Sequence, residues 1–339
     1  MKPIVFLSHP PEKLEQYYGP RAVTALQAVA EVRFNPEARE LTMAELAVAA
    51  AGCDMLIGYR QTPGPERLFR ELPQLLVFLR CAVDISTVDL AAASAHGVLV
   101  TQASAGFVPA VAEWIVAAMI DLGRGIGRYA AAYRQSGTPP PSVIGRELRG
   151  STLGIVGYGR IARHLATLAR AFGMRILVTT PEAIDANEGI EAVPLATLLA
   201  QSHFVTCLAV SNPQTHGLFD AAAFAAMARG AYFINASRGE LVDEAALLGA
   251  LDSGRLGGCA LDVGRAPDQM PSPALARHPL VVATPHIGGL TLPAIEHQSM
   301  ETAAQVTALV RGEMPTGAVN AAHASRLRAW RETRPGRGR

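Results

Sequence analysis

Leu153-Gly154-Ile155-Val156-Gly157-Tyr158-Gly159-Arg160-Ile161-Ala162 decides how the rest of the chain is read. The apolar run 153–156 predicts a buried strand, the glycines a tight turn, and Ile161–Phe172 a helix. Strand, GxGxxG/A turn and helix in that order make up the phosphate-binding unit of a dinucleotide-binding sheet. Gly157 permits the turn, Gly159 lets the backbone approach a pyrophosphate, and the small Ala162 lets helix and strand pack closely. The helix N-terminus offers free N–H groups and a positive dipole end to the phosphates, and Arg160 adds a charge-assisted contact. Gly157, Gly159, Arg160 and Ile161 are therefore candidate cofactor-binding residues.

The pattern continues on both sides of this stretch. Downstream, Arg175–Val178, Phe204–Leu208, Ala231–Asn235, Gly258–Leu261 and Val281–Ala283 predict strands. Leu195–Ala200, Ala221–Met227 and Glu244–Ser253 predict helices between them. With Leu153–Val156 that makes six strands, the count of a doubly wound dinucleotide-binding sheet. Upstream, Ile4–Leu7, Met55–Ile57, Leu75–Leu79 and Val98–Val100 predict strands, alternating with helices at Arg21–Ala30, Met43–Ala51 and Thr87–Ala95. Alternation of this kind gives an α/β class with a second parallel sheet covered by helices. Ala110–Ile120 predicts a long apolar helix, Pro139-Pro140-Pro141 an exposed loop, and Pro293–Arg311 a last helix that pattern alone assigns to neither unit.

The adenosine end of the cofactor is less legible. An Asp or Glu that reads the ribose is expected about 20 residues after the glycines, at the end of the second strand. Thr179-Thr180-Pro181 stands there, with Glu182 just beyond, and no Arg or Lys follows directly to bind a 2′-phosphate. Thr180 is the candidate residue at this position, and the residue types leave NAD and NADP both open.

Two further turns carry chemistry. Asn235-Ala236-Ser237-Arg238-Gly239 and Thr284-Pro285-His286-Ile287-Gly288-Gly289 each follow a strand, where open α/β sheets bind their ligands. A guanidinium suits a carboxylate, and an imidazole suits proton transfer near neutral pH.

With these residues the sequence resembles the D-isomer-specific 2-hydroxyacid dehydrogenase family over about residues 50 to 320. The strongest pieces are 153–161, 235–243, Ala260-Leu261-Asp262-Val263 and 284–289. The resemblance implies two Rossmann-like or flavodoxin-like domains, each a parallel sheet covered by helices, with a cleft between them. It places a discontinuous substrate domain at 1–102 plus 291–320 and an NAD(P)-binding domain at 103–290. It implies hydride transfer between NAD or NADP and C2 of a small D-2-hydroxy or 2-keto acid. Arg238 would clamp the carboxylate and His286 would act as general acid/base. Asp262 would contact the nicotinamide amide with Gly288 close by, and backbone N–H groups at Ala82 and Val83 would hold the carboxylate. Arg60, after a strand of the substrate domain, is a candidate for a second anionic group or a solvated loop residue. A homodimer is the family's usual assembly.

One departure bears on the mechanism. The family places a Glu five residues after the Asp262 position to orient the catalytic His, and here Pro267 stands there. The spacing of 24 residues from Asp262 to His286 is ordinary, which argues against a deletion. Asp268 reaches His286 instead, or Gln269 does so as a neutral partner, or His286 has no side-chain partner. The departure motivates a rival reading, a dinucleotide-binding sensor or co-regulator with weak or no turnover. A formate-like or phosphite-like oxidation is a second rival.

Composition bounds the remainder. Half of the 339 residues are hydrophobic and 17% are charged, enough apolar surface for two cores. The net charge of +1 gives no electrostatic reason to expect nucleic acid or a membrane as partner. Cys53, Cys81, Cys207 and Cys259 form no ligand spacing and read as buried reduced thiols of a cytoplasmic protein. His164, His203, His216 and His278 show no metal-ligand spacing, so no metal is expected. Residues 321–339, with six arginines after position 325, are expected to be a flexible basic tail.

Overall fold

The computed structural model describes residues 2–138, 140–184 and 189–333, with Asp268 described by its backbone alone. The chain forms two compact units, Met1–Gly106 with Leu292–Arg339, and Phe107–Thr291. The crossings fall slightly later along the chain than the 102/103 and 290/291 expected from the sequence.

The first unit is built on five parallel strands: β1 (Ile4–Leu7), β2 (Glu31–Phe34), β3 (Met55–Gly58), β4 (Val77–Arg80) and β5 (Leu99–Gln102). Their order is β2-β1-β3-β4-β5, so the chain winds outward in one direction and then the other from β1. β1, β3 and β4 are almost wholly buried, as the unbroken apolar runs predict for strands covered on both faces. β2, Glu-Val-Arg-Phe, was not expected, because a largely exposed edge strand has no apolar run to betray it. Local chemistry sets the helix starts. Thr42 and Glu45 form a reciprocal capping box ahead of Met43–Ala49. Asp89 caps Leu90–Ala95, which is why that helix begins three residues later than Thr87.

The helix Leu292–Val310 packs on this unit through Val306 and Leu309. Its buried Gln305 accepts from Thr101 Oγ1 at 2.8 Å and donates to the Gln102 carbonyl at 2.8 Å. The expected flexible tail is corrected as far as residue 333. Ser325–Glu332 is a helix whose Leu327 lies in the core, and Arg326 donates to the carbonyls of Phe69, Leu72 and Leu75 at 2.8–3.1 Å. Phe69 and Leu72 lie at the end of the helix Glu66–Glu71 and Leu75 in the segment after it, so the arginine there satisfies backbone acceptors. Residues 334–339 lie outside the described residues.

The second unit carries seven parallel strands: β6 (Thr152–Val156), β7 (Arg175–Thr179), β8 (Glu191–Ala192), β9 (Phe204–Cys207), β10 (Ala231–Asn235), β11 (Leu256–Leu261) and β12 (Val281–Ala283). The order β12-β11-β10-β9-β6-β7-β8 reverses between β6 and β9, the switch point at which such sheets bind ligands. The added strand, β8, is a two-residue exposed edge. Val108–Arg124 and Arg160–Ala171 share a core in which Ala112, Ile115 and Met119 meet Ala162, Leu165, Ala166 and Ala169. Pro139 lies outside the described residues, and the segment around it follows the exposed helix Ile126–Ser136.

Candidate active site

The turn after β6 is shaped by contact as much as by conformation. Gly157 has φ +92° and its N–H donates to the Thr179 carbonyl of β7 at 2.8 Å. A Cβ on Gly157 would lie 2.6 Å from the backbone of Ala209, so no side chain fits. Gly159 differs. Its φ is −82° and a Cβ there would meet no protein atom within 4 Å, so the protein itself does not demand glycine. A dinucleotide pyrophosphate does, because it needs the backbone at contact distance. The helix that follows has no side-chain cap, which leaves its first N–H groups available to an anion. These features fit the expected cofactor. Tyr158 is buried, with the Arg163 guanidinium 4.6 Å from its ring centroid.

Glu182, three residues beyond the end of β7, is held by a near neighbour. Thr180 Oγ1 donates a hydrogen bond to the Glu182 carboxylate, which Thr180 thereby holds below the usual carboxylate range.

The Arg238 turn is tied to the phosphate loop through one residue. Ser237 Oγ donates to the Ala209 carbonyl at 2.5 Å, and Ala209 is the residue against which Gly157 abuts. Buried Asn235 closes the turn, accepting from Ser237 N–H at 3.0 Å and donating to the Arg238 carbonyl at 2.9 Å. Arg238 is half-buried on an extended backbone, with Nη1 donating to the Ser237 carbonyl at 2.8 Å. Gly239 sits against the backbone of Gly264, where a Cβ would fall 2.3 Å from its carbonyl carbon. The loops after β10 and β11 therefore touch backbone to backbone.

Asp262, the first residue after β11, organises the turn that carries His286. Its Oδ1 accepts from Thr284 Oγ1 at 2.6 Å and Ile287 N–H at 2.8 Å, and its Oδ2 from Gly288 N–H at 2.7 Å. A Cβ on Gly288 would come within 2.7 Å of that oxygen. His286 lies on the wrapped turn with φ +55°, and its N–H donates to the Thr284 carbonyl at 2.9 Å. A non-glycine residue in the left-handed region costs about 1 kcal/mol or more. The three bonds to Asp262 hold it there. The carboxylate for which the resemblance implied a contact with the nicotinamide amide is engaged with the histidine turn.

Beyond Asp262 the chain closes on itself. Gly264 N–H donates to the Gln269 carbonyl at 2.8 Å and Ala266 N–H to the Met270 carbonyl at 3.0 Å, around a one-turn 3₁₀ helix at Pro267–Gln269. Pro267 is exposed at the start of that turn, Gln269 is half-buried at φ +58°, and the Asp268 side chain lies outside the described residues.

In the other unit Ala82 and Val83 are half-buried after β4, and the Ala82 carbonyl accepts from Ala103 N–H at 3.0 Å. Arg60 is half-buried, and its carbonyl accepts from Arg80 Nη2. Arg80 is a residue the sequence reading missed. It is buried at the end of β4, where it also donates to the Tyr59 carbonyl and, at 3.0 Å, to the Asp84 carbonyl. Burial lowers its pKa to about 10, which leaves it charged at neutral pH. The signal was present as an Arg closing the apolar run Val77-Phe78-Leu79. All four cysteines are free and buried, and burial pushes Cys81 and Cys207 up to about 12. Among the described residues no group of three or more His, Cys, Asp or Glu is placed to hold a metal.

Residues 116–288, half of the chain, match the family model described as the NAD-binding domain of D-isomer specific 2-hydroxyacid dehydrogenases. The chain belongs to that family. It is 33% identical to the D-3-phosphoglycerate dehydrogenase of Homo sapiens over 290 residues, 84% of this chain and 54% of the relative. The Mycobacterium tuberculosis (strain ATCC 25618 / H37Rv) enzyme of that name is 33% identical over 307 residues, 89% of this chain and 57% of the relative. The chain spans about half the length of these curated relatives. Solved structures match it throughout. A putative D-isomer specific 2-hydroxyacid dehydrogenase from Polaromonas sp. JS6 66 superposes with TM-score 0.86 at 27% identity, over 94% of this chain and all of that one. D-lactate dehydrogenase from Escherichia coli superposes with TM-score 0.82 at 26% identity and the same coverage.

Proposed function

We propose that this chain transfers a hydride between a nicotinamide dinucleotide and C2 of a small D-2-hydroxy or 2-keto acid. The observation that carries the reading is the His286 turn. A buried carboxylate spends three hydrogen bonds to hold one imidazole on a left-handed backbone, at the C-terminal end of a dinucleotide-type sheet. Strain maintained in this way marks a position where function selects the conformation.

In this reading Gly157, Gly159, Arg160 and Ile161 hold the pyrophosphate, and the bound nicotinamide supplies or accepts the hydride. Arg238 pairs with the substrate carboxylate and polarises the C2 oxygen. His286 gives its proton to that oxygen on reduction and takes it back on oxidation. Backbone N–H groups at Ala82 and Val83 add to the carboxylate contact, and Arg60 favours substrates with a second anionic group. Asp268 stands in for the Glu that Pro267 displaces, keeping His286 protonated to higher pH; Gln269 is the neutral alternative. The protein acts as a cytoplasmic homodimer. Its four buried free thiols support the compartment, and exposed Ile126, Tyr133, Val143 and Ile144 support an apolar contact between copies.

The second reading, a dinucleotide-binding sensor, is favoured by Pro267 alone. Turnover separates the two. Purified protein is expected to oxidise NADH or NADPH with at least one of glyoxylate, hydroxypyruvate, pyruvate and a branched 2-keto acid. His286→Asn should lower kcat by about 10²–10⁴-fold with nucleotide affinity unchanged. Asp268→Asn should bring the alkaline fall of ketone reduction to lower pH. Tight nucleotide binding without turnover on the whole panel would establish the sensor.

A further inference from the structure

Thr180 stands at the strand-end position where a ribose-reading acid is expected, Glu182 follows two residues on, and the mechanism above does not use the pair. β6 and β7 pair in register, Val156 beside Thr179, and the Thr179 carbonyl accepts the Gly157 N–H. The residue after Thr179 is therefore next to the phosphate loop. From there Thr180 directs its hydroxyl at Glu182 across one proline, whose fixed φ stiffens the three-residue link. Glu182 is exposed and forms no ion pair among the described residues. Its Thr180 bond thus orients the carboxylate and leaves its charge unneutralised. In doubly wound sheets the adenosine ribose lies over the end of the second strand, within reach of an acid there.

We infer that Glu182, oriented by Thr180, accepts hydrogen bonds from the ribose 2′ and 3′ hydroxyls of the adenosine half and makes the site selective for NAD over NADP. The inference rests on the reading of 157–161 as a dinucleotide loop and adds the specificity that the residue types alone left open. A vicinal diol offers two donors to a carboxylate, which only accepts. A 2′-phosphate removes one donor and sets a charge of about −1.5 to −2 against the carboxylate. Hydrogen bonds to a charged group are strong enough to give about ten- to a hundredfold discrimination.

The test is direct binding, measured as dissociation constants for NADH and NADPH from nucleotide fluorescence, on the wild-type chain and two variants. The wild type should bind NADH at least about tenfold more tightly than NADPH. Glu182→Gln, an exposed change that should leave the melting temperature unmoved, should bring the two within about threefold. Thr180→Val, which keeps the carboxylate but not its tether, should fall between. Equal affinities in the wild type, a preference for NADPH, or a full preference surviving in Glu182→Gln would each overturn the assignment. Full preference in Thr180→Val would remove Thr180 from it. Failure to bind either nucleotide would instead bring down the dinucleotide reading itself, a result distinct from binding both without discrimination.

Discussion

The C-terminal edges of the two parallel sheets use polar residues in opposite ways. In the seven-stranded unit they stand half-exposed on turns, as Arg238 and His286 do, and buried Asp262 and Asn235 support those turns from below. In the five-stranded unit two of the most polar side chains are buried outright. Arg80 is 1% exposed and ties together the loops after β3 and β4, and His9 is 2% exposed between Tyr18 and Tyr59. The same architectural position therefore serves presentation in one sheet and bracing in the other. What separates the roles is where the donors go. Arg80 donates to carbonyls of its own chain on three sides, whereas Arg238 has one such bond, to its neighbour.

Four experiments would break or sharpen this comparison. If Arg80 is a brace, Arg80→Met should cost roughly 3–5 kcal/mol, since three carbonyls lose charge-assisted donors. A urea midpoint within error of wild type would move Arg80 into the class of presented residues. Asp262→Ala comes next, at about 3 kcal/mol, because the Ile287 and Gly288 N–H groups and the Thr284 hydroxyl lose their acceptor. It should also lower kcat at least about a hundredfold through the displaced His286. Retained kcat in a variant of lowered stability would show that the turn holds its shape without the carboxylate.

His9 provides a pH signature of bracing. Burial, and after it the Arg80 charge, lower its pKa from 6.5 to about 3. Between those values the unfolded chain binds a proton that the folded one refuses, so stability falls as pH drops below 6.5. The contribution is about 1.4 kcal/mol per pH unit, or about 2 kcal/mol at pH 5. In thermal melts from pH 7 to 5, His9→Gln should lose less than wild type, and parallel curves would count against the buried neutral imidazole. The smallest effect on stability is expected at Gly159, where Gly159→Ala meets no protein atom and should change it by no more than about 0.5 kcal/mol. Nucleotide affinity, in contrast, should drop about tenfold or more, because the methyl occupies the pyrophosphate's approach. Unchanged affinity by calorimetry would mean that the space serves no ligand.

Sequence legibility follows the range of the interaction responsible. The β6 turn was readable because a glycine's tolerance of positive φ and a helix start are properties of adjacent residues. The buried central strands were readable from their apolar runs. The edge strands β2 and β8 were not, since exposed edges carry no hydrophobic signature. The tail was misjudged because six arginines in residues 326–339 obscure its few apolar residues, yet Ala324 and Leu327 sit in the core with Ala321 and Trp330 packed against it. Of the candidate site, Arg238 and His286 were legible as single polar residues in small-residue turns after strands. Their supports were not.

The sequence by itself determined the two-sheet α/β organisation, the phosphate loop and the two turns bearing Arg238 and His286. Each rests on short-range periodicity or on the steric needs of neighbouring residues. Only the tertiary structure decided that Asp262 folds the histidine turn, that Ser237 and Gly157 meet at Ala209, and that Arg80 braces rather than presents. These depend on which carbonyls, carboxylates and backbones the winding of the sheet brings within about 3 Å, because hydrogen bonds act only at that range.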